Sequence, residues 1–354
     1  MKLMKQKVTI AAVGDILMWR EQIASAHIPG TNQYSFADMF SPVAPILQSA
    51  DLTIGNLETT FTGNTQPYQI GSAREGYPRF NCPDSLAADL RKVGFDVLTT
   101  VNNHCLDGGV TGLYRTLDIL DQHQLDHTGT YRNGQDASTY LIKEVNGIRI
   151  GLLAYTYGTN KQQIPPHSPW IVNLINQDKI LRDIKQLRPV VDLLIVSLHF
   201  GLEFRYLPTK RQRLLAQSIL DQGADVILGA HPHVLQPVVT PNIKIRNGQT
   251  RRTVVAYSLG NFTSERMLQF ETSLCGAILR LTVEKDEREQ TEITQISVVP
   301  TYSHRYISGG RVRYRVIPMR SALLSPDKFL TITQRKKLRT LFGHSRRTIG
   351  PRFI

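Results

Sequence analysis

Five times along the chain a short apolar run ends in a small residue and then in a side chain able to ligate a metal. The runs are VTIAAVGD ending at Asp15, DLTIGNLE ending at Glu58, FDVLTTVNNH ending at Asn103 and His104, DLLIVSLH ending at His199, and ADVILGAHPH ending at His231 and His233. Unbroken apolar runs of this length are what strands buried on both faces look like, so each predicts a central strand. Helical periodicity lies between several of them, over Thr111–His123, Asp178–Leu187 and Lys210–Gln222. Strands alternating with helices imply βαβ units, and open α/β sheets hold their ligands at the carboxyl ends of strands. The five polar tips are therefore expected on one rim. Thr253–Ser258, Gly276–Val283 and Ile293–Pro300 read as later strands, the last two with no helix between them. They predict a second, partly antiparallel sheet stacked on the first.

With 41% apolar residues over 354 positions the chain can fill a sizeable core, which rules out disorder as its main state. Its net charge of +13 points towards an anionic partner, but the charge is not spread evenly. Residues 301–354 hold 13 basic side chains and one acidic one, which leaves the first 300 residues at +1. The sequence thus divides into a body over 1–318 and a basic tail over 319–354. A basic helix over Ser325–Phe342 reads equally as a docked helix, a binder of anionic surfaces or a solvated end. No specific nucleic acid is expected, because no motif interleaves aromatic and basic residues. Three widely spaced cysteines, Cys82, Cys105 and Cys275, do not make a disulfide framework. The basic start, Met1 to Lys7, is followed by a run too short for a signal peptide, and no run reaches the length of a membrane span. This predicts a cytoplasmic protein without a transmembrane helix, with association to the cell envelope as the alternative. The Gly-, Pro- and Tyr-rich stretch Thr62–Cys82 is expected to be a long loop over the site.

Zinc, manganese and iron take imidazole as well as carboxylate and amide oxygens, so one Asp, one Glu, one Asn and several His on strand tips suit a site for one or two such metals. Taken singly, Asp15 reads as a turn or helix cap, Glu58 as a surface carboxylate and Asn103 as a turn residue. Their conjunction on five tips decides for the metal. In His231-Pro232-His233 the proline is expected to keep the segment extended, which would put both imidazoles on one side. His104, beside Asn103, stands where an imidazole can protonate a leaving oxygen, and Asp107, three residues on, either orients that ring or caps the next helix. Arg20 reads as a phosphate-binding guanidinium or a solvated one.

The motifs Gly14-Asp15, GNLE at 55–58, NNHCLDGG at 102–109, SLHFGLEF at 197–204, GAHPHVLQPV at 229–238 and YSLGNF at 257–262 resemble, in order, those of the bacterial capsule synthesis CapA proteins (PGA_cap, poly-γ-glutamate biosynthesis), within the calcineurin-like metallophosphoesterase superfamily. The resemblance runs from about Lys7 to about Pro318. It implies an α/β fold, a four-layer α/β/β/α sandwich, with Asp15, Glu58, Asn103, His199, His231 and His233 as ligands of one or two divalent ions (Mn, Fe or Zn) and His104 as the catalytic histidine. It also implies a phosphoesterase-like hydrolase of capsule or cell-envelope polymer synthesis, acting on an anionic polymer or a phosphoester through a metal-activated water. The alternative is a non-catalytic, metal-containing polymer-binding or assembly factor. Glu203, Tyr257, Ser258 and Asn261 lie in matching motifs with structural or substrate-positioning roles. The chain departs from the superfamily at two points: Leu17 stands where the first motif usually has histidine, and Glu58 replaces the usual aspartate.

Overall fold

A computed structural model describes residues 6–64, 68–71, 77–244 and 250–354. The first five residues of the basic start and parts of the Thr62–Cys82 stretch lie outside them. One sheet contains β1 (Gln6–Ile16), β2 (Leu52–Leu57), β5 (Val97–Thr99), β6 (Asp126–Thr128), β15 (Asn261–Thr263), β16 (Cys275–Lys285), β17 (Thr291–Ser308) and β18 (Arg311–Pro318). The other contains β7 (Leu141–Val145), β8 (Ile148–Thr156), β9 (Leu193–His199), β10 (Val226–Ala230), β11 (Val238–Val239) and β14 (Val254–Ala256). Two small ribbons pair β3 (Gln69–Ile70) with β4 (Arg79–Phe80), and β12 (Asn242–Lys244) with β13 (Thr250–Arg252).

Strand alternation builds the layers. From β1, Val8, Ile10 and Ala12 join Ile150, Leu152, Leu193, Ile195, Val226 and Leu228 in a core between the two sheets. Ala11 and Val13, on the opposite face, pack with Met39, Phe40, Leu86, Leu90 and Leu120 of the helices outside the first sheet. Outside the second sheet, Ile180, Ile184, Leu187, Leu215 and Ile219 do the same from helices Gln177–Leu187 and Lys210–Gln222. The result is the four-layer α/β/β/α sandwich. The Lys210 helix begins at the predicted residue because Thr209 and Gln212 form a reciprocal capping box.

The expected partition of strands between the sheets is not what forms. β16, β17 and β18 do not make a sheet of their own. They extend the first sheet antiparallel from β1, with Val8 opposite Val283, while β14 lies parallel to β10 in the second sheet. The physical reason is β1 itself: an apolar strand with β2 on one edge must bury its other edge, and β16 is the long apolar partner available. Both sheets are consequently mixed.

The small residues that precede the ligands allow close backbone approach. A Cβ on Gly14 would lie 2.0 Å from the Gly260 carbonyl oxygen, and one on Gly229 2.0 Å from that of Tyr257. Substitution at either would push apart the strands that carry Asp15 and His231.

The basic segment ends in a docked helix, Ile332–Ile349, seven residues later in onset than expected, because Thr331 and Gln334 form its capping box. Leu338, Leu341 and Ile349, with Phe353 beyond the helix, belong to the core between the sheets. Ahead of it, Arg315 grips Asp327 through two hydrogen bonds of 2.5 and 2.9 Å and donates to His304 Nδ1 at 3.1 Å. None of the described helices is long and apolar enough to cross a membrane.

Leu338→Ala is expected to cost about 2–5 kcal/mol, the range for emptying a fully buried leucine site. Urea unfolding would measure it, and a loss near zero would mean that the helix is not part of the common core.

Candidate metal centre

Each sheet delivers its ligand-type residues at the carboxyl ends of neighbouring parallel strands. Asp15 lies inside β1 at a bulge, where the pairing with both β2 and β15 shifts register, so its carboxylate is turned off the normal alternation. Glu58 follows β2 directly, His199 ends β9, and His231 follows β10. Asn103 and His104 lie in the turn between β5 and helix Gly109–Gln122.

These tips converge. His199 Nε2 lies 2.7 Å from Asn103 Oδ1 and 3.4 Å from Glu58 Oε1. His233 places Nδ1 at 3.3 Å from Asp15 Oδ2 and Nε2 at 3.9 Å from Glu58 Oε1. Candidate ligand atoms of Asp15, Glu58 and His199 fall within 4.8 Å of one another, as do those of Glu58, His231 and His233. Glu58 is common to both sets.

His231-Pro232-His233 is not extended. His231 has φ 95° and His233 φ 55°, both in the left-handed region that non-glycine residues rarely occupy. The segment is a bend, held by donation from the His231 N–H to Asp15 Oδ2 at 3.2 Å and from the Phe204 N–H to the Pro232 carbonyl at 2.8 Å. The two rings still share one side, with centroids 5.9 Å apart, but through backbone strain rather than strand alternation.

Burial sets the electrostatics. Asp15, Glu58, His199, His231 and His233 are at most 3% exposed. Burial works to raise the Asp15 carboxyl, but the hydrogen bond and charge of His233, then the charge of His199, hold it below the ordinary value. Burial and the Asp15 charge drive Glu58 well above its ordinary value. Burial pushes His199 down to about 3 and His231 well below the usual imidazole value. His233 goes the other way: against the effect of burial, Glu58 and Asp15 raise it to about 10. A proton on His233 thus offsets buried carboxylate charge.

Among the described residues, both Glu58 carboxylate oxygens and His231 Nδ1 are buried with no hydrogen-bond partner. Buried polar atoms are almost always paired, and three orphans within one cluster of carboxylates and imidazoles fit divalent cations of the borderline class. His233 Nδ1 lies 2.9 Å from Asn261 Oδ1, the kind of outer contact that orients a ligating imidazole.

His104 Nδ1 bonds Asp107 Oδ2 at 2.7 Å, and the same oxygen accepts from the Phe80 N–H at 2.6 Å. Of the two readings of Asp107, the geometry matches the orienting one, since the following helix starts at Gly109 behind Gly108, with no side-chain cap. Asn261 is fully buried behind His233, also donating to the Ser273 carbonyl, and so holds a ring rather than facing open space. Arg20 is turned towards the Gln69 carbonyl at 3.4 Å. Glu203 lines a cavity that also exposes His104 and His233.

Asn56, Asn160 and Tyr157 escaped the sequence reading. Asn56 Nδ2 donates to Asp15 Oδ1 at 2.7 Å and lies 3.2 Å from His199 Nδ1. Its signal was present, because it stands two residues before Glu58 in a strand and so shares its face. Asn160 bridges Asn103 and His104, at 3.2 and 3.3 Å, and Tyr157 lies over His231 with ring centroids 4.5 Å apart. Both come from the loop after β8, where no motif marks them. Of the Thr62–Cys82 stretch, Tyr77, Pro78 and Phe80 reach the site and line that cavity.

Two relatives are similar along most of the chain. "Capsule biosynthesis protein CapA" of Bacillus anthracis is 29% identical over 267 residues, covering 74% of this chain and 61% of that protein. "PGA biosynthesis protein CapA" of Bacillus subtilis (strain 168) is 30% identical over 289 residues, covering 81% and 70%. The chain therefore spans less than two thirds of the length of the anthracis relative. Among solved structures, a Staphylococcus aureus protein assigned as a 5′-nucleotidase, in complex with α-ketoglutarate, superposes with a TM-score of 0.51 at 15% identity, over 94% of this chain and 58% of that one, a likeness of fold. The profile of the family described as "Bacterial capsule synthesis protein PGA_cap" matches residues 9–266. With its ligand-type residues assembled at the strand ends inside that span, the chain belongs to the PGA_cap family of bacterial capsule synthesis proteins.

Proposed function

We propose that this chain is a metal-dependent, phosphoesterase-like hydrolase serving the synthesis of capsule or another cell-envelope polymer. The observation that carries the reading is His104, backed by Asp107 at 2.7 Å and open to a cavity beside the cluster of Asp15, Glu58, His199, His231 and His233. That cluster, with Asn103, would hold one or two divalent ions, manganese, iron or zinc, which when bound supply Lewis acidity to a phosphoryl oxygen and acidify a water.

The chain's own groups do the rest. Asp107 fixes Nδ1 of His104 as the donor side of the ring, which leaves Nε2 to deliver a proton to the departing oxygen. Asn160 Nδ2 lies 3.3 Å from Nε2, placed to donate to it once the ring has given up that proton, and Asn102 Oδ1 accepts from the His104 N–H at 3.0 Å. Asn56 and Asn261 keep His199 and His233 in orientation from behind. Buried Leu17, where the superfamily's first motif usually has histidine, offers no donor.

A second reading, binding of an anionic polymer without cleavage, is favoured by one feature. The exposed face of helix Ile332–Ile349 carries Lys336, Arg339, Arg346 and Arg347. These residues give the 319–354 segment an anionic-surface contact in either reading.

His104→Ala is expected to lower kcat on a generic phosphoester by about 10²–10⁴-fold with an unchanged melting temperature. Asp107→Asn should lower it less and shift its pH profile. If fully metal-loaded wild type turned over nothing in a broad phosphoester panel while binding polyanions tightly, the hydrolase reading would fall to the second one.

Metal binding is expected to expel a proton at pH 7, because His233 carries one in the metal-free state. Affinity should therefore rise with pH up to about 10, where His233 loses its proton without help. Calorimetry in buffers of different ionisation enthalpy reads the release, and a buffer-independent heat would sink this ligand assignment. Saturation at 100 times Kd should stabilise the fold by about 2.7 kcal/mol, a gain that Glu58→Gln should largely abolish.

A further inference from the structure

The cavity beside the metal centre has walls of an unexpected kind for an anionic ligand. It measures about 180 Å³, and its described lining includes the aromatic rings of Trp19, Tyr77, Phe80 and Phe204 and one carboxylate, Glu203. Leu17, Pro78, Met267 and Leu268 complete its apolar surface, and His104 and His233 form the side facing the metal ligands.

The walls are braced. Trp19 meets Phe80 edge to face at 5.0 Å, and its indole N–H donates to Ser264 at 3.0 Å. Phe204 stacks flat on Phe270 at 4.4 Å, and Phe80 packs on His104 at 4.8 Å. Tyr77 meets the His104 ring edge to face, with centroids 6.4 Å apart. Four aromatic rings around one carboxylate make a site for an organic cation, because aromatic rings attract cations and the carboxylate supplies the counter-charge.

We propose that this cavity holds the ammonium-bearing end of the substrate, so that the preferred phosphoesters are those of amino alcohols. The inference rests on the hydrolase reading and gives its site a substrate class. Position fixes which part of the substrate enters. His104 lines the cavity, so the group lodged there is the one whose oxygen His104 protonates. Hydrolysis forms one P–O bond from water and breaks the P–O bond to the amino alcohol. Water provides the oxygen and a proton, and the alcohol leaves with the proton from His104. Leu17 belongs to the same design: where histidine would add a metal ligand, leucine adds an apolar wall for the methylene or methyl groups beside the nitrogen.

Two measurements on the metal-loaded full chain test this. The protein has two tryptophans, so Trp170→Phe isolates the Trp19 fluorescence at the cavity floor. Titration with choline should change that signal saturably, and its neutral isostere 3,3-dimethyl-1-butanol should bind about tenfold more weakly. Glu203→Gln should remove the difference between the two. Phosphate release should likewise show a KM for phosphocholine about tenfold below that for 3,3-dimethylbutyl phosphate. Equal binding of choline and the neutral alcohol by wild type would overturn the proposal whatever Glu203→Gln does to folding. Choline saturation without turnover of any phosphoester would leave the cation site standing and remove the hydrolase reading. Turnover of both phosphates with equal KM would do the reverse.

Discussion

Two carboxylates buried within 4.8 Å of each other, Asp15 and Glu58, are the constraint around which the rest is arranged. Such a pair is stable only if positive charge is supplied between and around it. Three imidazoles from the opposite sheet face it, and in the metal-free state one of them, His233, keeps a proton to well above neutrality. Because the carboxylates come from one sheet and the imidazoles from the other, the two sheets must meet in one register. The apolar core fixes that register, and the left-handed backbone at His231 and His233 is the strain it imposes at the meeting point. Fold and site are thus one problem in packing: moving one sheet along the other would separate the opposite charges.

The layer architecture and the convergence of the five tips were legible because both depend on short-range pattern. Apolar runs gave the central strands, and 3.6-residue periodicity gave the helices to within about two residues at each of the three described positions. The allocation of late strands to sheets was not legible. It depends on which edge of β1 is left unpaired, a property of the assembled sheet rather than of any local sequence. The His-Pro-His segment shows a different limit. Proline does favour extended backbone before it, yet contacts to Asp15 and Phe204 overrode that preference. Asn56 could have been found by strand alternation from Glu58, whereas Asn160 and Tyr157 come from a loop whose side chains acquire meaning only once β8 is placed beside β9.

The net charge also reads differently in three dimensions. The helix that carries much of the basic excess buries Leu338, Leu341 and Ile349 in the apolar core, and shows Lys336, Arg339, Arg346 and Arg347 on its exposed face. Charge and packing are therefore separate functions of the same helix. The cavity beside the candidate metal centre has a different character, with aromatic rings and a glutamate in its lining.

The pairing of β1 with β16 has a consequence for the order of events during synthesis. Val8 finds its partner Val283 only after 275 further residues have been added, roughly 15–55 s at ordinary elongation rates. Through that interval the strand that bears Asp15 has an unpaired apolar edge, the kind of template on which nascent chains aggregate. Closure of the sheet beside Asp15 is accordingly a late step, reached after every candidate ligand has already been synthesised.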